Sequence, residues 1–202
     1  MHLCKKELRK ESILDRAITV FSKRGYRNTD VQKIADALDI GKGTIYRHFP
    51  SKEALFQACC DKAMRQLQVH IDSKISEYTD PISRITLGMQ AYICFFKKHP
   101  KLIELFVHER AEFKTRKFST YLSERIQENP DWKERFEKLQ DQGKVRKADP
   151  ETILESISNI LYGIIFTKFF QEDETSFEIH AKASLEMILF GIFLSPTPEG
   201  AS

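Results

Sequence analysis

Apolar residues recur at helical spacing along most of this chain, and the breaks in that spacing divide it into elements. Leu14, Ala17, Ile18 and Phe21, widened by Ile13 and Val20, form one stripe among charged positions. They predict a helix from about Lys5 to Arg24. Gly25 follows Lys23 and Arg24, the residue order of a helix C-terminus. Val31, Ile34, Ala35 and Leu38 make the stripe of a short second helix, for which Thr29 and Gln32 supply a capping-box pattern. DIGKG is a tight connection, KGTIYRHF a third helix stopped by Pro50, and Ser51 the cap of a long helix through Ile75.

The pattern restarts after YTDP. Asp80 is the expected N-cap and Pro81 the first helical residue of a helix that ends before Pro100. PKLIELFVHERAEF and the stretch 116–142 also have helical spacing, the latter interrupted by Pro130 within ENPDW. QGKVRKADPE is a break, and two strongly apolar helices follow, roughly 150–170 and 175–194, before a tail expected to be disordered. The expected fold is all-α: a three-helix N-terminal domain, residues 1–53, followed by a larger helical domain, 54–202.

Composition supports a helical chain. Among 202 residues, 41% are hydrophobic and 15 are Phe, enough for a sizeable core, whereas Gly and Pro number only 8 and 7. No apolar run reaches the ~18 residues of a membrane span, and the charged start MHLCKKELRKES lacks an apolar signal region. We expect a cytoplasmic protein with no membrane contact. Cys4, Cys59, Cys60 and Cys94 have no metal spacing, and the histidines form no HxxxH or Cys–His cluster. No cofactor or metal is expected.

Charge changes the picture more. Residues 1–53 carry 12 Lys and Arg against 7 Asp and Glu, an excess of +5, while the remainder sums to −2. A polyanionic partner would therefore meet the N-terminal end. A long helix followed by two short helices across a tight corner has the layout of a helix-turn-helix. On a wheel of the third helix, Ile45 and Phe49 share the core side, and Gly43, Thr44 and Arg47 lie opposite. Lys42 and Tyr46 flank one edge and His48 the other. The outward side thus offers a cation, a hydroxyl and a glycine permitting close approach, a set suited to the major groove. Lys42, Tyr46, His48 and Lys52 are candidate phosphate contacts, with Thr29 adding a hydroxyl.

The stretch Ile13 to Phe56, ILDRAITVFSKRGYRNTDVQKIADALDIGKGTIYRHFPSKEALF, resembles the TetR/AcrR family of bacterial transcriptional regulators. The pattern shared with that family is Phe21, Gly25 and Tyr26, Thr29, Val31, Ile34 and Ala35, Gly43 to Tyr46, His48 and Phe49, Lys52, Ala54 and Leu55. It covers about a quarter of the chain. Two positions depart from it. Gly41 stands where a capping Ser is common, at a cost of a few tenths of a kcal/mol. Asp30 stands where a second Ser or Thr is common; a carboxylate suits a helix N-terminus but could repel a phosphate. The resemblance implies a homodimer on double-stranded DNA at a palindromic operator, usually a repressor. It further implies a small-molecule effector in the C-terminal domain that changes the separation of the two reading heads.

In the last two helices, Ile153, Ile157, Ile160, Leu161, Ile164 and Ile165, then Leu185, Ile188, Leu189, Ile192 and Phe193, occupy more than one face. Ser156 with Gly163, and Ser184 with Gly191, leave small-residue seams. We expect these helices to form the dimer interface as a four-helix bundle, the alternative being a monomer core. Candidate effector contacts are Tyr92, Cys94, His108, Arg110, Asn159, Tyr162 and Thr167, with Phe95, Phe96, Phe106, Phe113 and Phe166 as walls. An enzyme lacks support here, since no nucleophile–base constellation, metal cluster or phosphate-cradling glycine loop occurs. A helical module whose basic face meets an acidic protein remains a competing reading, separable by operator preference and salt dependence.

Overall fold

The computed structural model describes residues 5–113, 131–168, 183–189 and 191. All regular structure among them is helical. The expected helix over 116–130, the segment 169–182, the residues after 191 and the tail lie outside the described residues. The helices are α1 (Lys5–Arg24), α2 (Val31–Asp36), α3 (Lys42–His48), α4 (Lys52–Ile75), α5 (Pro81–Lys98), α6 (Pro100–Glu112), α7 (Asp131–Asp141) and α8 (Pro150–Lys168). A further helical stretch covers 183–189. Two compact units result, and their division falls within α4 and α5. The first holds 5–69 and 96–113, the second 70–95, 131–168, 183–189 and 191.

In the first unit the α1 stripe is fully interior: Ile13, Leu14, Ala17, Ile18 and Phe21 are all buried. Val31, Ile34 and Ala35 of α2, Ile45 of α3, and Leu55, Phe56, Cys59 and Ala63 of α4 are buried too, with Phe56 edge-on to Phe21 at 5.0 Å. Burial pushes the Cys59 thiol up, so it stays protonated in this core. Helix α6 lies along α1. Its Leu102, Ile103, Leu105 and Phe106 are buried, the last edge-on to Phe96 at 6.1 Å. Gly25 ends α1 at φ +75°, donating its N–H to the Phe21 carbonyl at 2.8 Å. A side chain there would be strained, and its Cβ would also meet the His108 ring at 3.1 Å.

The start of α2 differs from expectation. Its N-cap is Asp30, not Thr29: the Asp30 carboxylate accepts the Gln32 N–H at 2.9 Å. Thr29 is buried and donates its hydroxyl to the Gly25 carbonyl at 2.7 Å, one residue too early to cap. Gln32 completes no capping box, because its side chain donates to Asp36 instead. The corner after α2 is made by Asp39, which adopts φ +50°, a conformation aspartate tolerates better than most residues. Ser51 does cap α4, accepting the Ala54 N–H at 3.0 Å.

Lys62 ties α4 to α1. Its ammonium lies 2.7 Å from both Glu11 and Asp15, with only 10% of the side chain exposed. Burial works against its charge, but the hydrogen bonds to Asp15 and Glu11 outweigh burial and raise its pKa. The contribution is therefore complete below the ordinary lysine value and fades as pH climbs through the raised one. Both carboxylates are substantially hydrated, so Lys62→Met should cost only about 1 kcal/mol at neutral pH. Thermal melts should show that deficit shrinking in strongly alkaline buffer.

The second unit has its own core of Met89, Ile93, Phe136, Leu139, Val145, Ile153, Ile157, Leu161, Ile164 and Ile188. Asp80 caps α5 as expected, accepting the Ser83 N–H and hydroxyl, each at 2.8 Å. Asp149 repeats the arrangement on Thr152 before α8. Ile153, Ile157, Leu161, Ile164 and Ile165 of α8, and Ile188, which the sequence assigns to a dimer surface or a monomer core, are buried within the single chain. Among the described residues of these two helices, Ile160 and Met187 are the exposed large apolar ones, at 44% and 69%. A Cβ built at Gly163 or Gly191 meets nothing within 4 Å. Ile192 and Phe193 lie outside the described residues.

Candidate nucleic-acid interface

The third helix is anchored from below. Ile45 is 0% and Phe49 3% exposed, the two contacts its wheel assigned to the core. The seven residues of α3 follow Gly41, which is in extended conformation and whose carbonyl accepts the Thr44 N–H at 2.8 Å. They end at Phe49, whose N–H bonds back to Ile45 before Pro50 stops the helix. With one side fixed, the other has to face outward.

Outward, the side chains are polar and partly pre-arranged. Arg47 and Tyr46 are exposed, and Lys42, Thr44 and His48 are half-buried. Arg47 Nη2 donates to Thr44 Oγ1 at 3.2 Å, which orients the guanidinium along the helix surface. Gly43 is exposed, and a Cβ there would meet nothing within 4 Å, so internal packing does not demand a glycine. Lys42 Nζ lies 3.3 Å from Asp30 Oδ1. The Asp30 carboxyl is held below the usual range first by the Gln32 N–H, then by Lys42, with Lys33 adding a smaller pull.

Lys52, at the start of α4, is more engaged than a free phosphate contact. Its ammonium donates to the Arg27 carbonyl at 3.1 Å and sits 4.8 Å above the Tyr26 ring. Burial lowers its pKa, opposed by Asp30 and Glu112. Tyr26 is wedged among Phe56 and Phe113, with ring centres 5.2 and 5.0 Å away. Its hydroxyl is raised by burial, then by Glu53 and Glu112. Arg27 Nε meets Glu112 Oε2 at 2.8 Å and keeps a largely exposed side chain. Thus the far end of α6 is latched to the turn that positions Lys52.

Lys42, Gly43, Thr44, Tyr46, Arg47, His48 and Lys52 fall within one stretch from the start of α3 to the start of α4. Thr29 does not share their exposure, and its donor is spent on Gly25. Asp30 and Arg27 are the side chains of this region that a wheel of α3 alone overlooks. The signal for Asp30 was its departure from the expected hydroxyl; for Arg27 there was none beyond its place behind Gly25.

The effector candidates are divided between the two units. Tyr92 and Tyr162 come together in the second unit, where burial first and Tyr162 second raise the Tyr92 hydroxyl. Phe166 stacks on Tyr162 at 3.9 Å. Asn159 and Cys94 are exposed, and the Thr167 side chain lies outside the described residues. His108 and Arg110 belong to the first unit, with His108 set over Gly25 and Arg110 exposed. Of the expected walls, Phe96, Phe106 and Phe113 are in that unit as well.

Residues 13–59 match the model of the family described as bacterial regulatory proteins, tetR family. An uncharacterized HTH-type transcriptional regulator of Mycobacterium tuberculosis is 30% identical over 104 residues, 52% of each chain. The chain thus spans about half the length of that relative. The biofilm operon icaADBC negative transcriptional regulator IcaR of Staphylococcus aureus is 41% identical over 54 residues, 25% of this chain and 29% of its own. Among solved structures, AibR in complex with isovaleryl coenzyme A and operator DNA superimposes with a TM-score of 0.68 at 25% identity. That match covers 89% of this chain and 97% of the other. The first two of these relatives are named as transcriptional regulators, and the third is seen bound to operator DNA. Residues 13–59 are thus similar in sequence to the N-terminal domain of the tetR family of bacterial regulatory proteins.

Proposed function

We propose that this chain is a homodimeric transcriptional repressor that sets α3 of each subunit into the major groove of a palindromic operator. A small-molecule effector, held in the helical domain of residues 54–202, releases it. The observation that carries this reading is the two-sidedness of α3. Ile45 and Phe49 are sealed inside while Arg47, Tyr46 and Gly43 stand in the open with Lys42 and His48 at the edges. Arg47 is the candidate for bidentate contact with guanine, Thr44 for a thymine methyl, and Lys42, Tyr46, His48 and Lys52 for phosphates. Negative regulation by IcaR, and operator and acyl-coenzyme A binding by AibR, support the repressor and effector parts. Tyr92, Tyr162 and Phe166 form the apolar, hydroxyl-bearing corner where an effector is best sought.

Selection of bound fragments from genomic DNA tests the reading. It should return a palindrome whose affinity drops steeply with salt and survives competitor DNA. Salt-sensitive binding to acidic proteins without any selected duplex would refute it. Within that assay, Lys52→Ala should weaken selected and unselected duplexes alike, on the order of threefold to tenfold, and flatten the salt slope by about one.

A further inference from the structure

Asp30 puts a negative charge on the face that this reading assigns to DNA. Its Oδ1 accepts from Gln32 N at 2.9 Å and from Lys42 Nζ at 3.3 Å. Lys33 also acts on it, and it acts in turn on Lys52. Lys42 pairs with this carboxylate directly, and Lys33 and Lys52 lie within reach of its charge.

Folding does not require that charge. Side chains of Lys42 and Asp30 are 40% and 57% exposed, and an ion pair so hydrated adds at most about 1 kcal/mol. The capping bond needs only an oxygen, which Asn or Ser supplies equally well. What a neutral cap could not do is occupy Lys42 and oppose a phosphate.

We propose that Asp30 is a built-in counter-ion of the DNA-contacting face, one that lowers affinity for duplexes of every sequence alike and leaves selection to Arg47. The inference rests on the DNA-binding reading. Unselected binding is almost wholly electrostatic, through cations that displace counter-ions from the backbone. A carboxylate that holds Lys42 cancels part of that gain at every site alike. Base-edge contacts are untouched, so selected and unselected affinities fall by a similar factor and their ratio stays set by Arg47.

The experiment compares the full-length chain, D30N, K42A and the D30N/K42A double variant by fluorescence anisotropy. Each is titrated against a labelled mixed-sequence duplex and the selected operator across a range of potassium chloride. D30N should bind the mixed-sequence duplex on the order of threefold to tenfold tighter near physiological salt. Its salt slope should steepen by about one for each reading head. The operator should gain by a similar factor, and in the K42A background both gains should shrink. D30S, a second variant able to cap α2, should behave as D30N does, and both should melt near the wild-type temperature. If wild type binds and D30N binds no tighter, or binds with an unaltered slope, the inference is overturned. A gain undiminished by K42A overturns the pairing with Lys42. Wild-type protein that binds neither duplex refutes the DNA reading itself and this inference with it.

Discussion

Arg47→Ala is expected to cost about 1–3 kcal/mol of discrimination between the operator and a mixed-sequence duplex, roughly fivefold to 150-fold. The argument begins at the helix anchor. Ile45 and Phe49 cannot turn outward without opening the core, so the orientation of α3 about its axis is fixed and Arg47 is presented to whatever lies against the helix. The bond from Nη2 to Thr44 Oγ1 restrains the guanidinium before any partner arrives, which lowers the ordering cost on binding. Lysine would not substitute, because a point charge lacks the planar fork that matches two acceptors on one guanine. Arg47→Lys should therefore keep the salt slope and still lose base preference. Thr44→Val, which removes the restraint, should fall between. Competition binding measures all three, and Arg47→Ala binding the operator with undiminished preference would show that the reading face is assigned wrongly.

That argument was available from the sequence because α3 is governed by local geometry. Two apolar residues four apart fix one side of any helix, and Gly25, Pro50 and Ser51 mark its surroundings by backbone chemistry alone. Local reasoning failed by a single residue at α2. Thr29 and Asp30 are both good caps, and which one capped was decided by the Gly25 carbonyl taking the Thr29 hydroxyl. Tertiary contacts were less legible. Nothing near Tyr26 says that Phe113 will meet it edge-on, or that Glu112 will meet Arg27 from 85 residues away. His108 was grouped with Tyr92 and Tyr162 for being polar among apolar neighbours. Helical spacing gives each residue's side of its own helix but not which unit that side faces, and His108 lies over Gly25 instead. The apolar residues of α8 show the same limit: periodicity demanded cover on several sides without saying whose chain provides it.

That last ambiguity yields the second large effect. Ile160 and Ile164 sit one turn apart on α8, with 44% and 8% of their surfaces exposed. Ile164 belongs to the core with Ile157, Leu161 and Ile188, so Ile164→Asp buries a charge without a partner and should unfold the second unit, a loss of several kcal/mol. Ile160 shares its open side with Ser156 and Gly163, neither fully buried, and a Cβ at Gly163 would touch nothing. If that side is covered by a second copy of the chain, Ile160→Asp should melt as wild type does yet sediment as a monomer. Its operator affinity should then collapse toward that of one reading head, because the two half-sites no longer share one binding event. Gly191→Asp, on the exposed side of the last described helical segment, should reproduce it. A folded Ile160→Asp protein that still sediments as a dimer would move the interface elsewhere, whereas an unfolded one would assign Ile160 to the core after all. The paired substitutions thus separate cover by the chain itself from cover by its partner, a distinction that a pattern of apolar residues on one helix cannot make.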